Sequence, residues 1–87
     1  MLTFQDCLAL SELNEEEILA VAEHENLPEI AALELANTLA QSPAGERRIE
    51  EMIADDIAAA QRRGDLPHAA ALKLVLRHFL AQHPAAS

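Results

Sequence analysis

Few side chains in this sequence are of a type that does chemistry: Asp56, four histidines (His24, His68, His78, His83), the single cysteine Cys7, and three serines (Ser11, Ser42, Ser87). Asp56 is the most informative of them. On a helix from about Ala44 to Arg63, successive residues turn by about 100°, and Asp56 falls within about 20° of the centre of an apolar stripe. That stripe is Ile49, Met52, Ile53, Ile57 and Ala60. A carboxylate placed there must be paired, hydrogen-bonded or protonated. The candidate partners are His24, His68, Lys73 at the edge of its own stripe, and Arg63 of a second copy. The ordinary outcome is a capping or ion-paired carboxylate; the functional one is a metal ligand or a perturbed acid or base.

The histidines invite a metal reading, with Asp56, His24, His68 and His78 as its candidates. Bundle metal sites generally repeat a Glu-x-x-His pattern on two helices, and the chain has no such pattern. His24-Glu25 does not continue to a second histidine, because position 28 is Pro, and His78 and His83 are five apart and do not share a face. No metal and no cofactor is expected. Cys7, between Phe4 and Leu8 on a short amphipathic helix, reads as a buried inert thiol with no neighbouring cation to activate it. The serines stand at caps, boundaries or the tail, and the two glycines form no phosphate loop. No catalytic residue is expected, and the chain reads as a non-enzyme.

Charge narrows the partners. The first 46 residues hold ten acids and no Lys or Arg; the other 41 hold five acids and all six bases, so −10 and +1 give the net −9. A field of that sign repels the phosphate backbone. This bears on the segment around Ala22, Asn26, Leu27 and Leu33, whose spacing looks faintly like a helix-turn-helix. Its second helix would offer Glu29, Glu34, Asn37 and Thr38 and no cation, so an ordinary helical hairpin is expected, with no nucleic-acid partner. The acids Glu15, Glu16 and Glu23 could instead meet a basic protein, or a basic surface of a second copy; the ordinary alternative is a solvated face.

The elements that position these groups are helices. Fourteen Leu and eighteen Ala dominate 87 residues, and β-favouring side chains are scarce. Thr3 with Asp6, and Asn14 with Glu17, have capping-box spacing. They open helices to about Leu10 and about Glu25. Asn26-Leu27-Pro28 breaks the chain, with Pro28 in the first turn of a third helix to about Gln41. Ser42-Pro43 opens the fourth, Gly64 ends it, and Asp65 caps a fifth over about Leu66–Gln82.

The second helix turns Ile18, Leu19, Val21 and Ala22 inward, and the fourth pairs Arg47 with Glu51 on its outer face. The third helix is apolar over most of its circumference (Ile30, Ala31, Ala32, Leu33, Leu35, Ala36, Leu39, Ala40), which predicts a central position. The fifth buries Leu72, Val75, Leu76, Phe79 and Leu80, and carries a second strip, Ala70, Leu74 and Ala81. Either the first helix covers that strip or it faces a partner.

The expectation is one all-α domain over 1–87, a bundle of four to five helices with residues 84–87 frayed. With two Phe and no Trp or Tyr its core is modest, so a homodimer is expected, through the Ala70, Leu74 and Ala81 strip or the Ala-rich flanks, with Glu15, Glu16 and Glu23 as further interaction-surface residues. The N-terminus has no cationic region before an apolar run, and no segment approaches the length of a membrane span, so a cytoplasmic, non-membrane protein is expected.

The runs Asp55-Asp56-Ile57, Arg62-Arg63-Gly64-Asp65, His68 and Leu76-Arg77-His78-Phe79-Leu80, with the stretch from Leu10-Ser11 to Ala22-Glu23-His24-Glu25, resemble a set of short bacterial all-α proteins. No function is attached to that set. The resemblance implies a free-standing bacterial helical protein and no particular chemistry, which leaves three readings. The first is a protein–protein interaction or accessory module. The second is a metal- or small-ligand-binding protein centred on Asp56 with a histidine, and the last a DNA-binding regulator.

Overall fold

A computed structural model describes residues 3–11 and 13–84. Five helices follow one another: α1 (Phe4–Ala9), α2 (Glu15–Glu25), α3 (Glu29–Leu39), α4 (Pro43–Arg62) and α5 (Leu66–Gln82). Among the described residues there is no strand. The expected all-α bundle is what the chain forms. Of the tail expected to fray, only Pro84 lies within the described residues.

Local chemistry sets the helix starts. Thr3 Oγ1 accepts the Asp6 N–H at 3.1 Å, and Asp6 Oδ2 accepts the Thr3 N–H at 3.1 Å, closing the first capping box. Asn14 and Glu17 repeat it, both bonds at 2.9 Å. Ser42 caps α4 through the Gly45 N–H at 3.0 Å, and Asp65 caps α5 through the His68 N–H at 3.2 Å. Only α3 starts without a side-chain cap, because Pro28 occupies the cap position itself, one place earlier than expected.

Two connections need special backbone. Asn26 ends α2 in the left-handed region (φ 55°, ψ 50°), a conformation Asn tolerates better than most residues. Gly64 ends α4 at φ 77°. Gly45 is needed for a different reason. It is buried where the end of α3 meets the start of α4, and a Cβ there would collide with the Leu39 carbonyl oxygen.

Helix α4 is the centre. It packs on α2, α3 and α5, and buries Gly45, Ile49, Met52, Ile53, Asp56, Ile57 and Ala60. The expectation that α3 is central is corrected. α3 buries only Ala32, Leu33 and Ala36, and Ile30 is 45 % exposed. Half of its apolar circumference is alanine, which buries little area per residue. Both helices have three neighbours, but α4 offers them 20 residues of helix and α3 only 11.

The core gathers Leu13, Ile18, Val21, Leu33, Ile49, Met52, Ile53, Leu72 and Phe79, with Phe4, Cys7 and Leu8 of α1 half-buried against it. Leu19, expected to face inward, is 40 % exposed, and Ala20 is buried instead. No helix among the described residues is long and apolar enough to cross a membrane.

Candidate functional site

Asp56 is 5 % exposed, as its stripe position predicts, and its Oδ2 is buried without a hydrogen-bond partner. The cations proposed for it from within the chain go elsewhere. His24, in the last turn of α2, sets Nε2 3.1 Å from Asp55 Oδ2 and Nδ1 2.7 Å from Glu25 Oε2. His68, in the first turn of α5, sets Nε2 2.8 Å from Glu23 Oε1. Lys73 is exposed. Three helices thus converge on Asp56, and each histidine that could have neutralised it is bridged to another carboxylate.

The electrostatic result follows from that arrangement. Burial pushes the Asp56 carboxyl up to about 6, the Glu23 and Asp55 carboxylates push the same way, and His24 and His68 only partly offset them. Of the outcomes open to a buried carboxylate, protonation is therefore the one this fold favours below about pH 6. Burial works against a charged His24, but its hydrogen bonds to Asp55 and Glu25 outweigh that and hold it above the ordinary histidine range.

A second polar cluster was not foreseen. Glu17 is 2 % exposed, with Oε1 committed to the Asn14 N–H and Oε2 buried without a hydrogen-bond partner; burial raises its carboxyl above the usual range. His83 is buried beyond the last turn of α5, stacked on Phe79 with ring centres 4.5 Å apart, and its Nδ1 lies 3.6 Å from Glu46 Oε1. Two signals pointed there. Glu17 shares a face with Val21, and Phe79 and His83 stand four apart, the spacing at which helical neighbours meet.

The metal candidates do not converge. His24 and His68 are committed to carboxylates other than Asp56, and His78 is an exposed residue of α5. Among the described residues, no group of three or more His, Cys, Asp or Glu is placed to hold a metal ion. On the outer face of α4, Arg48 rather than Arg47 meets Glu51, at 3.4 Å. Outward from α3 stand Glu29, Glu34 and Thr38, while Asn37 accepts a hydrogen bond from Ser11 Oγ at 2.6 Å, so this helix offers no cation to a phosphate.

An open apolar feature lies between α2 and α5. Two clefts of about 160 and 350 Å³ adjoin there and share Glu16, Ala71 and Val75 as walls, forming one groove. Its floor is Leu72 and Val75. Leu19 and Glu23 rise on the α2 side; His68, Leu74 and His78 rise on the α5 side. The strip Ala70, Leu74 and Ala81 is exposed throughout, with Leu74 at 64 %, and α1 packs on α3 instead of covering it. Glu15, Glu16 and Glu23 are exposed as well. Of the six expected surface residues, Leu74, Glu16 and Glu23 line the groove, while Ala70, Ala81 and Glu15 lie outside its lining. Comparison with known protein families, with curated proteins and with solved structures gives no match to this chain.

Proposed function

We propose that this chain is a non-catalytic interaction module that takes a helix of another polypeptide into the groove between α2 and α5. The observation that carries this reading is the groove itself. Its lining is mostly apolar, it is rimmed by carboxylates, and it is continued by an exposed leucine on a helix that needs no such residue for its own fold. The occupant is a second copy, forming a homodimer, or another protein with a basic face; both suit a rim of Glu16 and Glu23, with Glu15 exposed on the same helix.

Leu74→Asp is the direct probe, since Leu74 is exposed and its loss leaves the core intact. Sedimentation from low to several hundred micromolar, with and without a cationic Lys/Leu amphipathic peptide, is the measurement. Wild type should either double its mass or bind the peptide saturably, and Leu74→Asp should do neither while melting as wild type does. A wild type that stays monomeric and ignores the peptide would sink the reading.

A further inference from the structure

We infer that the occupant of the α2–α5 groove is a second copy of this chain, the two related by a twofold axis so that each α5 seats in the other's groove. This rests on the reading of that face as an interaction surface. The charges of the two helices that flank the groove carry it, Lys73 and Arg77 standing on α5 beside the groove lining and not in it. α2 contains five glutamates and no Lys or Arg, whereas α5 contains Lys73 and Arg77 and, alone among the five helices, no acid.

Lys73 precedes Leu74 and Arg77 follows it by three, which puts both bases on one side of Leu74, so a helix that buries Leu74 brings both to that flank of the contact. Glu16 stands on the opposite wall, at the edge those bases would reach, while Glu23 beside it is already bridged to His68 of the same chain. In a twofold interface every contact occurs twice with the roles exchanged. A face that is acidic on one side and basic on the other therefore satisfies itself in both halves. A foreign basic helix would match the glutamates and set its own cations against Lys73 and Arg77. Ala70, Ala71 and Ala81 keep the surface of α5 low, so a neighbouring helix can approach closely.

The test is charge exchange between copies. Glu16→Lys and Arg77→Glu change exposed side chains and should leave helix content and melting unchanged. Light scattering at tens of micromolar should give the dimer mass for wild type and weaken association by about tenfold or more for each variant alone. An equimolar mixture of the two variants should recover the dimer, because one contact is then native and the other reversed. Variants that dimerise like wild type, or a mixture that fails to recover, overturn the inference. A monomeric wild type that binds the cationic peptide also overturns it while the interaction surface stands; a monomer that binds no peptide removes both.

Discussion

Asp56 sits in an apolar stripe with a carboxylate oxygen that finds no hydrogen bond, and the two nearest histidines serve Asp55 and Glu23 instead. Ionising it is therefore a cost of folding. Its folded value of about 6 lies above that of an unfolded aspartate, so the folded state holds the proton more tightly between about pH 4 and 6. Stability from this group falls as pH rises through that window and stays low above it. Asp56→Asn keeps the shape and removes the charge. It should raise stability by roughly 1–2 kcal/mol at pH 7.5, a gain that fades toward zero near pH 4. Urea melts of both proteins at the two pH values check this, and a destabilised Asp56→Asn at pH 7.5 would show that the carboxylate is needed as a charge.

At the scale of elements, the two glycines are required for different physical reasons and should respond differently to one substitution. Gly64→Ala forces an L side chain into φ 77° with open space around it, and costs about 1–2 kcal/mol. Gly45→Ala has ordinary helical backbone but drives a methyl into the Leu39 carbonyl, where backbone, unlike a flexible side-chain end, cannot yield cheaply. It should cost more, about 2–3 kcal/mol, by prying the end of α3 from the start of α4. Denaturant midpoints of the two variants measure the difference, and an equal or reversed order would refute this account of the α3–α4 corner. Ser42 and Pro43 mark that corner in the sequence as a helix start. Nothing in the local pattern shows that two helices meet there closely enough to demand glycine.

At the scale of the whole molecule, the fold moves the titration of Glu17, His24 and Asp56 among the described residues, and all three move upward. For the two carboxyls this is destabilising once they ionise. For His24, bridged to Asp55 and Glu25, the contribution is full below the ordinary histidine value and is lost as pH rises through the raised one. The signs agree, so stability should decline from pH 5.5 to 7.5, reinforced by a net charge of −9 that repels itself more as protons leave. Urea midpoints at the two pH values decide it: a midpoint that rises toward pH 7.5 would contradict the assignment.

The helix boundaries were legible to within one or two residues because each is set by chemistry three or four positions long: Thr3 with Asp6, Asn14 with Glu17, Ser42 with Gly45, and Gly64 after Arg63. The burial of Asp56 was legible for the same reason, since a helical period places it without reference to any other element. Other features needed the tertiary structure. α4 rather than α3 became the centre because helix length and side-chain size set how much is buried, and apolar circumference alone does not. Glu17 and His83 went inside because α4 and α5 close over the end where they stand, and a polar residue at the edge of a stripe carries no sign of that. The pairing of His24 with Asp55 and of His68 with Glu23 depends on how α2 lies across α4 and α5. So does the groove. The sequence by itself determined which faces are apolar and which helix is acid-free; only packing decided that the glutamate-rich α2 and the acid-free α5 stand as opposite walls of one cleft, because the angle between two helices is a property of neither alone.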